Sequence, residues 1–205
     1  MHSLENIRFV TSNFTQLKGL QMVVIGLLLI GTTLWSDDNQ GDLGLPILMM
    51  LAAGLLWFAA DKFYRRHFGK VRPTRRARQQ EVVSSIIFMF LGIGAFILDT
   101  MELVPFSFLG IVFALGLLAD YLRMNASAQQ RYLGFYPWFS LALLIVSFLP
   151  FLGPDDLWQR LGFSSSTTGV MLTVGILVVI AGVLNHLFLV NSLPTLTEDN
   201  GDQAV

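Results

Sequence analysis

The stretch LPILMMLAAGLLWFAADKFYRR, residues 45–66, decides the fold. Sixteen residues pass without a charge, and one acidic and three basic residues then follow between Asp61 and Arg66. A long uncharged block that ends in basic residues is typical of a helix that crosses a bilayer and ends among the lipid headgroups. The stretch therefore predicts a membrane-spanning helix.

The same pattern recurs on both sides of this stretch. Most of the apolar blocks are shorter than the roughly 20 residues that cross a bilayer core, and Trp and Tyr near their ends suit its interfaces. The predicted fold class is all-α: a polytopic six-helix transmembrane bundle forming a single domain over residues 1–190, with a disordered tail over 191–205. The helices are predicted at residues 20–35, 43–60, 82–98, 104–118, 135–152 and 169–190.

The composition agrees with this class and excludes several kinds of chemistry. Hydrophobic residues make up 54% of the chain and charged residues 13%, whereas soluble domains are roughly a quarter charged. The absence of cysteine excludes disulfides, thiolate metal ligands and cysteine nucleophiles. A phosphate-binding glycine loop, a dinucleotide fingerprint and a His-Glu-x-x-His sequence are also absent from the chain. Neither a cofactor nor a metal is predicted.

Lysine and arginine set the predicted orientation. Eight of the 13 lie between Lys62 and Arg78, and short loops this basic stay on the cytoplasmic side of a membrane. The connections expected on the opposite side carry acidic residues instead: Asp37, Asp38, Asp42, Asp99, Glu102, Asp155 and Asp156. Because the predicted helices are even in number, both termini of this multi-pass protein are expected in the cytoplasm of the cell.

Two of the predicted hairpins share a pattern that indicates an internal repeat. Pro46 and Asp61 bracket the second helix, and Pro105 and Asp120 bracket the fourth with the same spacing. In the sixth helix Asn185 takes the place of the aspartate, although no proline precedes it. The pattern is compatible with three parallel hairpin repeats. It is also compatible with unrelated helices, since proline is favoured in any first helical turn.

The polar residues that close these helices form a candidate site. Asp61, Asp120, Asn185 and His186 are expected near one membrane surface, where they could form a polar ring that binds a cation or relays protons. A simpler reading pairs Asp61 with Arg65 and Asp120 with Arg123, one helical turn away. His186 alone supplies too few ligands for a metal centre.

The basic loop is predicted to contact anionic lipid headgroups, each cation contributing about 1 kcal/mol near the surface. No aromatic ladder or recognised nucleic-acid module accompanies these charges, and a nucleic-acid partner is not predicted. The residues assigned to this contact are Arg65, Arg66, Lys70, Arg72, Arg75, Arg76 and Arg78.

One hairpin resembles those of known bacterial membrane proteins. Gly26 to Gly31, Trp35, an acidic turn and the run Leu45 to Leu56 are similar to the short hairpins of accessory membrane proteins in bacterial cell-envelope stress systems. Those families usually have tryptophan before the proline, where this chain has Leu45. The resemblance implies a small protein of the bacterial inner membrane that senses, inhibits or scaffolds a partner, and it carries over no functional residue.

Three functions are compatible with these features. The first is a non-catalytic accessory, scaffold or sensor role, in which the small-residue helix faces and the basic loop bind a membrane partner or a second copy. The second is a small transporter or channel, in which Asp61, Asp120 and Asn185 line one cytoplasmic vestibule. The third is an intramembrane enzyme, which requires Ser84 or Ser85 within hydrogen-bonding distance of His186.

Overall fold

The computed structural model of the protein describes residues 9–38, 44–68, 75–101, 104, 106–126, 132–152, 160 and 166–192. No β-strand occurs in these ranges, and the prediction of an all-α bundle is confirmed. Six long helices make up most of them: α1 (Gly19–Asp38), α2 (Gly44–His67), α3 (Arg75–Thr100), α4 (Phe108–Asn125), α5 (Phe135–Leu152) and α6 (Ser166–Ser192).

Four of these helices are long and apolar enough to cross a membrane, judged by length and composition. They provide the spans Gly44–His67, Val82–Asp99, Phe108–Asn125 and Thr167–Ser192. Two shorter apolar stretches, Gly19–Trp35 and Phe135–Phe151, accompany them in α1 and α5. These lengths fit a membrane protein, because roughly 20 apolar residues cross the hydrocarbon of a bilayer.

The helices around the basic loop are longer than predicted. Helix α2 continues to His67 instead of ending at residue 60, and α3 begins at Arg75 instead of residue 82. Arginine, lysine and glutamine favour helix, so the polar flanks of both apolar segments continue the helix. The predicted helix breakers Gly69 and Pro73 lie between these two helices, outside the described residues.

Helix α4 begins at Phe108, later than predicted, where side chains cap its first turn. Ser107 is its N-cap, and the Ser107 hydroxyl accepts a hydrogen bond from the Gly110 backbone N–H at 3.2 Å. Asp99, buried near the end of α3, accepts hydrogen bonds from the Ser107 hydroxyl and from the backbone N–H groups of Phe108 and Leu109, at 2.5, 2.7 and 3.1 Å. These bonds satisfy donors that a helix start leaves unpaired.

This start changes the comparison between the two proline-containing hairpins. Pro46 is the third residue of α2, in its first turn as predicted, whereas α4 starts three residues after position 105. Pro105 itself lies outside the described residues. The equal Pro-to-Asp spacing therefore does not reflect an equal helix start, and the hairpin repeat stays a prediction.

The helices pack in an order that differs from their order in the chain. The most extensive contact joins α1 to α6, and the next joins α4 to α5. Helix α6 also contacts α4 and α5, so these four helices form the centre of the bundle. Helix α2 packs chiefly against α1, and α3 chiefly against α4. The two helices that flank the basic loop are therefore the outer helices.

Four glycines bring α1 and α6 into close antiparallel contact. A Cβ atom added to Gly26 would lie 2.7 Å from the Gly175 carbonyl oxygen, and one added to Gly182 would lie 2.6 Å from that of Gly19. In each helix the two glycines are seven residues apart, which places them on one face two turns apart. Such contact between backbones is a main source of helix association in membranes.

The residues before α1 pack into one end of the bundle. In this N-terminal segment, residues 9–18, the side chains of Val10 and Leu17 are fully buried and those of Phe9 and Phe14 nearly so. The Phe9 ring stacks on that of Tyr132, with centroids 4.2 Å apart. The segment thereby joins the starts of α1 and α5 to the ends of α2, α4 and α6.

Candidate polar site at one end of the bundle

All four residues of the predicted polar ring lie at the end of the bundle that holds the N-terminal segment. Asp61, Asp120, Asn185 and His186 belong to the C-terminal parts of α2, α4 and α6, which run in the same direction. None of the hydrogen bonds or ion pairs among the described residues joins two of these four side chains. Each instead binds partners from the N-terminal segment, from its own helix or from a tyrosine.

Asp61 is held by two cations. Its carboxylate forms an ion pair with Arg65, one turn along α2 as predicted, and a second with the Lys18 Nζ at 2.8 Å. The Asp61 and Lys18 side chains are 15% and 16% exposed, whereas Arg65 is 60% exposed. The partly buried Lys18 pair therefore joins α2 to the end of the N-terminal segment, and the surface pair contributes less.

Asn185 is fully buried where α6 meets α1 and α5. Its Nδ2 donates to the Tyr136 hydroxyl at 2.8 Å and lies 3.4 Å from the Gln16 carbonyl oxygen and 3.2 Å from the Met22 sulfur. Its Oδ1 has no hydrogen-bond partner among the described residues. The Asn185 Nδ2 therefore links α6 to the N-terminal segment, to α1 and to α5.

His186 shares a hydrogen bond with Tyr64. The Tyr64 hydroxyl is 2.9 Å from the His186 Nδ1 and accepts a hydrogen bond from the Leu20 backbone N–H at 3.0 Å. Tyr64 has no exposed surface. One hydroxyl thus links α2, α6 and the first turn of α1, and it occupies a backbone donor that the start of α1 would otherwise leave unpaired.

Asp120 differs from the other three because it faces open space. Its side chain is 50% exposed, and its predicted pair with Arg123 is loose, with Oδ1 and the guanidinium 3.8 Å apart. It lines a cavity of about 200 Å³ together with Lys18, Gln21 and Tyr136. Neither Asp61 nor Asn185 lines that cavity, whereas the transporter hypothesis requires all three to face one space.

The serines of the enzyme hypothesis lie on a different part of the bundle. Ser84 and Ser85 belong to α3, which packs chiefly against α4, whereas His186 lies in α6. Within the described ranges the hydrogen bond of His186 is to Tyr64, and neither serine shares a hydrogen bond with it.

The residues assigned to lipid contact lie around the connection between α2 and α3. Arg65 and Arg66 are exposed at the end of α2, and Arg75, Arg76 and Arg78 lie in the first turn of α3. Lys70 and Arg72 fall outside the described residues.

Sequence reasoning missed the residues that connect this site. The predicted residues are held in place by Lys18, Tyr64, Tyr136 and the N-terminal segment. The partners of Tyr64 lie 44 and 122 residues away in the sequence, and Asp61 lies 43 residues from Lys18. A local signal existed only for the segment, since Val10, Phe14 and Leu17 recur at helical intervals of four and three residues.

In the part of the chain that the structure describes, no group of three or more His, Cys, Asp or Glu side chains could hold a metal ion. No protein-family model matches the chain, and neither a curated protein nor a solved structure shows significant similarity to it. The fold and the site together are those of a helical membrane protein with a polar end.

Proposed function

We propose that this chain is a non-catalytic integral membrane protein that acts by binding another membrane helix, from a partner protein or from a second copy of itself. The observation that carries the proposal is the outward face of α2. Helix α2 packs chiefly against α1, and the side opposite that contact presents Ile47, Leu51 and Phe58, which are 56%, 64% and 66% exposed.

The centre of this face has the shape that helix association requires. Gly54 lies on the same stripe, seven residues after Ile47, and a Cβ atom there would meet nothing within 4 Å. Lipid tails solvate leucine as well as another helix does, so exposed leucine alone does not favour association. A glycine set between large apolar side chains does, because it lets a second backbone approach closely.

The same proposal includes the orientation and the lipid contact. Both termini would face the cytoplasm of a bacterial cell, with the exposed Arg65 and Arg66 and the connection that follows them lying against anionic headgroups. The positions of the N-terminal segment and the end of α6 at the same end of the bundle support this orientation. Labelling of single cysteines from one side of the membrane tests it.

Single-cysteine cross-linking in the native membrane tests the helix-binding proposal. The natural chain has no cysteine, so Leu51→Cys supplies one thiol on the proposed face and Leu56→Cys supplies a control on the flank of the same helix, where Leu56 is 56% exposed. We expect a disulfide-linked dimer, or a cross-link to one partner of fixed stoichiometry, from Leu51→Cys and much less from Leu56→Cys. Equal cross-linking at both positions, or none at either, would contradict the proposal.

A further inference from the structure

An apolar cavity opens between the centre of the bundle and α3. Its volume is about 340 Å³, and it is lined by Leu29 of α1, Phe88 and Gly92 of α3, Phe113 of α4 and Met171 of α6, among others. Almost all of its lining surface is apolar. The cavity is too small for a helix, which is about 10 Å across with its side chains, but it is in the range that holds a small ligand.

This cavity and the polar cavity beside Asp120 lie along the same faces of α1 and α4. On α4 the apolar cavity is lined by Leu109 and Phe113, and the polar one by Leu117, Asp120 and Met124. These positions follow one another at intervals of three or four residues, which places them on one side of a helix. The two cavities therefore follow one another along one side of α4, and together they are called the groove.

The last residue of the N-terminal segment and helix α1 line both cavities from another side, again with the polar part nearest Lys18. Lys18 and Met22 line the polar part of the groove, and Leu29, seven residues after Met22, lines its apolar part. The groove extends from Leu109 to Met124, which is about 22 Å at 1.5 Å per residue. Along α4 the distance from Asp120 to Phe113 is about 10 Å, which lies within the hydrocarbon depth of one leaflet, about 15 Å.

We propose that the groove binds one phospholipid with a primary ammonium in its headgroup, taken from the leaflet at the Asp120 end. One of its acyl chains would lie in the apolar part, against Phe113 and Gly92. Lys18 would donate to the phosphate, since an ammonium has three donors and Asp61 is its one acceptor among the described contacts. Asp120, half exposed and only loosely paired, would accept from the ligand's ammonium.

The charges at the polar end favour this headgroup over an anionic one. A cation and a carboxylate line the same cavity, so a zwitterion places each of its charges near an opposite charge. A phosphate with an uncharged glycerol headgroup would satisfy Lys18 and leave Asp120 without a cationic ligand. Such a difference is expected to give about tenfold selectivity, which corresponds to 1.4 kcal/mol.

Competitive lipid binding tests the inference. The full-length protein is placed in nanodiscs that contain equal amounts of phosphatidylethanolamine and phosphatidylglycerol with the same acyl chains, and lipids retained after release are counted by native mass spectrometry. We expect one retained ethanolamine lipid per chain and about tenfold less of the glycerol lipid. Asp120→Asn should remove the preference between headgroups. Parity between the two lipids in the natural protein would overturn the proposed headgroup recognition.

Two glycines of α3 provide a matched pair of variants for the apolar part. A Cβ atom at Gly92 or Gly94 meets nothing within 4 Å, but only Gly92 lines the cavity. Gly92→Leu should reduce retention of the lipid about tenfold, and Gly94→Leu should leave it unchanged. If Gly92→Leu does not fold, Met171→Trp narrows the groove from the opposite wall. Retention of many lipids of both kinds, unaffected by narrowing in a folded variant, would show annular lipid only and overturn the proposal.

Discussion

The close contact between α1 and α6 predicts that a side chain added at Gly182 destabilises the protein. A Cβ atom added to Gly182 would lie 2.6 Å from the Gly19 carbonyl oxygen and 2.8 Å from the Val23 backbone nitrogen. Ordinary van der Waals contact begins at 3.4 Å, so the helices would have to separate by the better part of an ångström. Both neighbouring atoms belong to the backbone, so no side chain can rotate away.

The expected magnitude combines two opposing terms. Replacing a helical glycine by alanine stabilises a helix by about 1 kcal/mol where there is space, whereas overpacking a tight contact costs typically about 1–3 kcal/mol. Gly182→Ala should therefore lower the free energy of unfolding by up to about 2 kcal/mol. Gly94→Ala, on an open face of α3, should raise it by up to about 1 kcal/mol.

The assay is reversible unfolding in mixed micelles, with a denaturing detergent as the titrant and helix content followed by circular dichroism. The difference between the two variants matters more than either value, because both make the same chemical change on a long apolar helix. If Gly182→Ala is as stable as Gly94→Ala, the backbones of α1 and α6 are not in contact and the packing order described above is wrong.

Three further substitutions test other parts of the structure by the same unfolding assay. Asp99→Ala should destabilise the protein by about 1–3 kcal/mol, because donors at the start of α4 lose their acceptor; an unchanged value would refute the buried cap. Tyr64→Phe should cost about 1–3 kcal/mol, since the Leu20 N–H and His186 both lose their hydroxyl partner, and no loss would mean that these bonds are absent. Phe14→Ala should cost about 3 kcal/mol if the N-terminal segment is packed as described, whereas a neutral result would show the segment to be dispensable.

The sequence predicted the helices well because bilayer-spanning segments carry a strong local signal. Each predicted segment overlaps an observed helix, and the errors lie at charged or capped ends such as Arg75 and Phe108. Asp61 with Arg65 was also predictable, because a helix fixes the distance between residues four apart. The Lys18 pair was not, since nothing local brings residues 43 apart in sequence together.

The pairing of helices was the part that sequence could not supply. The small residues of α1 and α6 were visible, but without a Gly-x-x-x-Gly spacing they did not indicate a specific face. Gly19 and Gly26 are seven residues apart, and so are Gly175 and Gly182. Helices α1 and α6 therefore have the same glycine spacing. Which helices meet still depends on the whole bundle, because every apolar helix face is equally soluble in lipid.

Labelling of single cysteines with a membrane-impermeant maleimide tests most directly the claim that these helices thread a membrane with both termini on one side. Gln40→Cys lies in the connection between α1 and α2, and Lys70→Cys in that between α2 and α3. In intact cells, position 40 should react and position 70 should react only after the membrane is opened. Labelling of position 70 in intact cells, or a chain that stays in solution without detergent, would contradict the account.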